Sequence, residues 1–456
     1  MPPKHHKNSS SSSTGALAHP HRTILASFFA WKLFLLAIAL GSTLVGDAYD
    51  TSAGLVVQGS SGLGLPGKDD RLVGGGGGTG GGTGGGLGLG RALVSRLSSW
   101  DAIYFVSVAR RGYRFEQEWA FGAGLPVVVR GVLNGGAVSE AVTGIAVANT
   151  AHLLSALVLY RLGRVVWRDQ TLSLVAALLH VVSPAGLFLS APYAESSFAL
   201  LSFSGYLLFA LGCRAEHRPT RRDLYTIFSG ILFGLATAFR SNGILNGVPF
   251  AWEVLRNLPR LSQRPTDTLR RLSALGVGGV CVAAGSLGPQ AAAYLRFCSG
   301  TSGAEPRPWC QGYVPSIYTF VQSHFGIRNT GFLRYWTVSN IPLFILATPM
   351  LAILIKAGVD QLRGRNVPVA DKPAESARLL SLLQSAAAAQ VLLAVLAATS
   401  YHVQIITRIS SGYPLWYWWL AGCLIRGEKT GSRVVVFMVM YASIQGALFT
   451  SFLPPA

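Results

Sequence analysis

Charge is scarce in this chain. Of its 456 residues only 12% are Asp, Glu, Lys or Arg, and the acidic ones number 19. A soluble fold of this length needs far more charge at its surface, so a water-soluble globular protein is excluded. Cysteine is sparse too. Cys213, Cys281, Cys298, Cys310 and Cys423 contain no CxxC spacing, which argues against a structural zinc site. No D-x-D pair occurs either, and no metal or other cofactor is expected. Glycine is plentiful but concentrated in "GGGGGTGGGTGGGLGLG", residues 74–90. The GxGxxG pattern inside that tract has no strand before it and no βαβ unit after it, so the tract reads as a flexible insertion and not as a nucleotide site.

Long apolar runs are what the chain has instead. Half of it is hydrophobic and the mean hydropathy is +0.41. Since about 20 residues cross a bilayer as a helix, the expected fold is all-α and polytopic. The expected spans are 23–45, 139–160, 171–191, 194–212, 224–239, 243–255, 273–296, 341–357, 379–400, 413–425 and 434–453, about eleven in all. Those at 224, 243 and 413 are short enough to be broken or half-inserted helices lining a cavity. Residues 1–22, basic and serine-rich, read as a disordered tail. The run Ile24 to Val45 is too long for a signal-peptide core and reads as a retained helix. Residues 23–456 then form one transmembrane domain, with large loops at 46–138 and 297–340.

Orientation follows from the basic residues. Most of the 38 lysines and arginines fall in the N-terminal part with Lys32, "RLGRVVWR", "CRAEHRPTRR", "VLRNLPRLSQRPTDTLRR", residues 356–378 and "RGEKTGSR". These segments should face the cytosol. The net charge of +19 is this orientation signal, and nucleic acid is not an expected partner. The polar and aromatic stretches converge on the opposite face.

There "SSWDAIYFVSVARRGYRFEQEWAF" places Asp101, Glu116 and Glu118 within eighteen residues. Asp101 begins a plausible interfacial helix whose Trp100, Ile103, Tyr104 and Val108 would meet the headgroup boundary; a carboxylate favoured by the helix dipole is the simpler role for it. Glu116 and Glu118 share a face only in extended backbone. In "SPAGLFLSAPYAESSFALL", Glu195 sits where a helix should start after a proline-bounded turn. "ATAFRSNGILNG" puts Arg240 at membrane depth, where it needs a partner, a cavity or a function. "YHVQIITRISSGYPLWYWW" sets His402 and Arg408 beside an aromatic cluster, a setting that suits a lipid-linked phosphate or a headgroup contact. Cys298 and Cys310 share a loop and would pair in an oxidising compartment; two free thiols are the other reading.

In order along residues 98–408, "WDAIYFVSVARRGYRFEQEWAF", "SPAGLFLSAPYAESSFALLSF", "ATAFRSNGILN", "RPWCQGYVPSIYTFVQ" with "GFLRYW", and "HVQIITR" resemble the endoplasmic-reticulum GPI mannosyltransferase 2 family. The chain departs from that pattern after Phe121, where Gly122-Ala123-Gly124 replaces an aromatic and a proline-containing turn. The resemblance implies a C-type glycosyltransferase fold in the endoplasmic-reticulum membrane, with a cytosolic N-terminus and a lumenal active site. It implies dolichyl-phosphate-mannose as donor and the mannosylated glucosaminyl-phosphatidylinositol precursor as acceptor, with an α1,6 linkage formed by inverting displacement. Asp101 matches the position of the catalytic carboxylate, with Glu116 and Glu118 orienting the acceptor or sharing that role. Arg408, with His402, Arg334 and Arg240, would hold the donor phosphate. Trp100, Glu195, Asn242, Trp309, Tyr318, Gln322 and Gln404 fall in the same motifs as substrate contacts. Need for a small accessory membrane subunit stays open. So do a transferase for another acceptor and a lipid or solute transporter, although transporter charges would cluster within spans and these carboxylates lie mostly in one loop.

Overall fold

A computed structural model describes residues 17–45, 85–133, 138–299, 307–313, 315–324, 331–365, 373–451 and 453. Most of the glycine tract lies outside these. Among the described residues every regular element is helical. In chain order these are α1 (Pro20–Val45), α2 (Gly85–Leu97), α3 (Ala102–Arg111), α4 (Gly124–Leu133), α5 (Glu140–Trp167), α6 (Gln170–Val181), α7 (Glu195–Arg214) and α8 (Pro219–Phe239). They continue as α9 (Val248–Asn257), α10 (Pro265–Phe297), α11 (Ile317–His324), α12 (Ile341–Leu362), α13 (Pro373–Thr399), α14 (Ile406–Ile409), α15 (Leu415–Ile425) and α16 (Lys429–Thr450).

Each expected span falls on a helix. Among the described residues seven helical segments, built on α1, α5, α7, α10, α12, α13 and α16, are long and apolar enough to cross a bilayer unaided. Two of the three expected breaks are present, while the run at 224 belongs to the unbroken helix α8. A 3₁₀ stretch, Ser241–Gly247, separates α8 from α9, and short turns with α14 lead into α15. Such irregular backbone exposes polar groups, which is tolerable at membrane depth only beside a cavity or buried in protein.

Two expectations change. Residues 171–191 do not make one helix: α6 stops at Val181, because Pro184 brings no N–H and disfavours helical backbone at Ser183. The chain then turns through a 3₁₀ segment, Gly186–Leu189, and everything from Ser183 to Ala199 is buried. This turn therefore lies inside the molecule, covered by Phe449 and Ala442 of α16. Gly186, at φ +49°, packs against Ala442 where a side chain would intrude. Lys32, grouped above with the cytosolic basic residues, sits in the middle of α1, and its Nζ donates to the Leu189 carbonyl at 3.1 Å and to Ser190 Oγ at 2.7 Å. A lysine tethered to a buried turn is no orientation signal.

The closest helix packing is α8 against α10. A Cβ on Gly230 would strike Gly278, one on Gly234 the Cys281 carbonyl, and one on Gly285 the Gly234 carbonyl. Small residues four apart let the two backbones meet, the source of helix association where lipid leaves no hydrophobic drive. At the Pro219 end of α8, buried Arg222 bridges Asp223 at 2.9 Å and Asp267 at 3.1 Å, and Glu216 joins Arg271 and Arg378 at 3.2 and 2.6 Å. Its other end delivers Arg240 to the site.

Candidate active site

Asp101 stands at the N-terminus of α3, yet its side chain caps no helix N–H. Its Oδ2 accepts instead from Arg408 Nη2 at 3.5 Å, a contact beyond the dipole role. Trp100, just before it, has φ +61°, a left-handed conformation that costs a non-glycine residue on the order of 1–3 kcal/mol and has to be held by its surroundings. Tyr193 contributes by donating its hydroxyl to the Ser99 carbonyl at 3.1 Å. On α3, Ala102, Phe105 and Ala109 face the core, Tyr104 is exposed, and Val108 is buried where a headgroup contact was expected.

Arg408 is fixed from several sides. Glu195, fully buried in the first turn of α7, accepts from it at 2.8 Å and from Arg240 at 2.6 Å. The rings of Phe188 and Tyr193 lie 4.2 and 5.0 Å from the Arg408 guanidinium, within cation–π range. One buried carboxylate thus holds two guanidiniums side by side. That pairing answers what Arg240 needs at membrane depth.

Both guanidiniums and Asp101 line one cavity of about 300 Å³. Asn242, Tyr318, Gln322 and His402 line it too, with Phe105, Phe121, Phe239 and Tyr401 as aromatic wall. Tyr318 and Gln322 are four apart on α11 and so share a face. Burial pushes the His402 imidazole below its ordinary value, which makes it a neutral hydrogen-bonding group at pH 7.

The other expected residues lie around this cavity without lining it. Glu116 and Glu118 share a 3₁₀ turn, Glu116–Ala120, and diverge. Glu116 accepts from Trp309 Nε1 at 2.9 Å and lies 3.7 Å from Arg307. Glu118 pairs with Arg111 and accepts from the backbone N–H groups of Arg114 and Phe115 at 2.7 and 3.1 Å. Burial would raise the Glu118 pKa, but Arg111 and those two N–H groups outweigh it and hold the carboxyl below its usual value. Trp309 packs with Ile317 and Val321 beside a Cys298–Cys310 disulfide, so Glu116 and Trp309 pin the first large loop to the second. Gln404 accepts from the Tyr335 hydroxyl at 3.0 Å. Arg334 is exposed on the surface. Glycine after Phe121 also finds its reason. A Cβ on Gly122 would strike the Phe239 carbonyl, and one on Gly124 the Phe239 ring, where the loop crosses the end of α8.

Phe188, Tyr193 and Tyr401 were missed as site residues although all three stand in quoted motifs. The available signal was an intramembrane arginine near a proline-bounded aromatic turn. Among the described residues, no three of His, Cys, Asp and Glu gather as a metal-holding group.

A protein-family model, "Mannosyltransferase (PIG-V)", matches residues 89–456. The chain is 68% identical over 475 aligned positions to GPI mannosyltransferase 2 of Chaetomium globosum, covering 96% of this chain and 97% of that one. It is 44% identical to the protein of that name from Gibberella zeae, covering 96% and 98%. Among solved structures, an oligosaccharyltransferase of Archaeoglobus fulgidus matches with a TM-score of 0.43 at 13% identity, over 80% of this chain and 51% of that chain, so this chain spans about half its length. Asp101, Glu195, Arg240 and Arg408, with the helices that bring them together, all fall inside the matched stretch, and the chain belongs to the PIG-V mannosyltransferase family.

Proposed function

We propose that the cavity is where mannose passes from dolichyl-phosphate-mannose to the first mannose of the GPI precursor, forming the α1,6-linked second mannose. Membership of the family makes the chain a mannosyltransferase of GPI-anchor assembly and a multi-pass protein of the endoplasmic-reticulum membrane. The single observation that carries the mechanism is the pairing of one accessible carboxylate, Asp101, with two guanidiniums held on buried Glu195. Asp101 takes the proton from the acceptor 6-hydroxyl as that oxygen attacks the anomeric carbon, and the phosphate leaves from the opposite face. Arg408 and Arg240 stabilise the negative charge that develops on the leaving phosphate, where fixed donors act most strongly. Substrate occupies the space between Asp101 and Arg408, so their 3.5 Å contact belongs to the resting site. Asn242, Tyr318, Gln322 and neutral His402 offer hydrogen bonds to sugar hydroxyls. Glu116, Glu118, Trp309 and Gln404 support the loops. The site faces the lumen, the N-terminus the cytosol, and the fold is of the C-type glycosyltransferase class.

The test is complementation of cells that lack the second GPI mannose, at matched expression, with the accumulated precursor identified by lipid analysis. Wild type should clear a one-mannose precursor. Asp101→Asn should lose activity by about 10²–10⁴-fold, the usual worth of a general base; near-normal activity would place the base elsewhere. A wild-type chain that leaves the one-mannose precursor untouched would overturn the acceptor assignment. The reaction needs no metal, because the lipid phosphate is already a fair leaving group. Purified enzyme should therefore keep its rate in excess EDTA, and a loss restored by added Mg²⁺ or Mn²⁺ would refute this.

A further inference from the structure

Far from Asp101, at the opposite end of the bundle, the surface carries a second feature that the transfer reaction does not use. Helices α12 and α16 both pack on α15. Between them runs a groove of about 390 Å³, walled by Pro349, Ala352, Ile353, Val434 and Phe437, with Trp419 of α15 on its inner side. Its composition changes along its length. The mid-helix part is apolar, whereas the part nearest the helix ends is lined by Lys356, Thr430 and Arg433. Trp419 also walls a neighbouring cavity of about 280 Å³ that contains Arg365 and Arg426.

Four basic side chains thus gather around one indole. Against them stand two carboxylates. Asp360 binds Lys356 at 2.8 Å, Arg365 at 2.7 Å and Trp419 Nε1 at 3.1 Å, and Glu428 binds Arg426 at 2.7 Å. Cationic charge remains in excess, and neither carboxylate lines either cavity. An apolar channel along lipid-crossing helices that ends in lysine, arginine and a hydroxyl complements one kind of molecule, an acyl chain bearing an anionic phosphate head.

We propose that this groove holds an anionic glycerophospholipid, its acyl chain along α12 and α16 and its phosphate between Lys356, Thr430 and Arg433. Three features fit it to a lipid rather than to a soluble anion: the groove lies on helices long enough to span the membrane, most of its wall is apolar, and its charge sits only at the end where headgroups would lie.

The full-length protein in phosphatidylcholine nanodiscs doped with phosphatidylserine, released into the gas phase for native mass spectrometry, reads the site directly. Wild type should retain one phosphatidylserine in preference to phosphatidylcholine. Lys356→Gln with Arg433→Gln should weaken that preference about twenty-fivefold, since each basic residue near an anionic surface is worth about a factor of five. Asp360 keeps Arg365 and Trp419 after this change, so no buried charge is stranded. Ala352→Trp, which fills the groove and alters no charge, should lower retention of both lipids, and the charge-keeping pair Lys356→Arg with Arg433→Lys should restore the preference. Equal retention of the two lipids by wild type would overturn the proposal, as would undiminished retention by both the double glutamine variant and Ala352→Trp. Thermal stabilisation by inorganic phosphate alone, equal to that by phosphatidylserine, would overturn the lipid as occupant.

Discussion

At Arg408 one planar group meets Glu195 at 2.8 Å, Asp101 at 3.5 Å and an aromatic ring at 4.2 Å. Only a guanidinium has the donors and the flat face for all three, so lysine at this position is not a conservative exchange. Glu195 and Asp101 are both acidic and both near Arg408, yet they differ in kind. Glu195 has no exposure and two cationic partners, which makes it a fixed counter-charge, while Asp101 is accessible from the cavity. The sequence singled out Asp101, Glu116 and Glu118 together because acidic residues are rare. Composition could not rank them, since which carboxylate reaches the cavity depends on the turn each occupies; only the family resemblance put Asp101 first. Glu118 shows the consequence. Its folded-state pKa lies below the unfolded one, so its contribution to stability is complete above the ordinary value of 4.5 and is lost as pH falls through the lower folded value. Hydrogen exchange across residues 111–121 should therefore stay slow from pH 7 to 4.5, after correction for intrinsic rates, and quicken only below. Loosening near pH 6 would show that Arg111 does not hold the carboxylate.

The helices were legible as elements, for apolar runs of about 20 residues leave little choice in a bilayer. Their interruptions were legible only in part. Short runs at 243 and 413 announced broken helices, the one at 224 belongs to an unbroken helix, and a proline-bounded turn from Ser183 was legible without any sign that it is buried. Proline and serine mark a turn equally well inside a molecule and outside it, and burial is decided by the α1 and α16 side chains that cover it. Close approach of α8 and α10 rests on glycines spread over two helices, and their register cannot be read from either alone. Gly234→Leu would drive a side chain into the Cys281 carbonyl and should cost about 3 kcal/mol, at the upper end of ordinary overpacking. In detergent this variant should melt lower and recover less well-dispersed protein. Unchanged melting would mean that the two helices part without cost.

For the whole molecule, the Glu116–Trp309 hydrogen bond ties the first large loop to the second, the Cys298–Cys310 disulfide closes the second loop onto the end of α10, and together they hold α11, with Tyr318 and Gln322, over the cavity. Cys298→Ser with Cys310→Ser should remove about 2–4 kcal/mol of cross-linking stabilisation, seen as faster proteolysis in residues 298–324 and a raised KM with a smaller change in kcat. Proteolysis no faster than in wild type would show that Trp309 packing alone fixes the loop. What the sequence determined by itself was the class of solvent the chain lives in, the approximate helices and the motifs from which the site is drawn. Composition and hydropathy are properties of the chain whatever its arrangement. Only the tertiary structure decided that Asp101, Glu195, Arg240 and Arg408 meet, because they come from four elements separated by up to 307 positions. It also separated the carboxylate that faces the cavity from the two that fasten its loops, since that depends on where each side chain finds its charge partner in space.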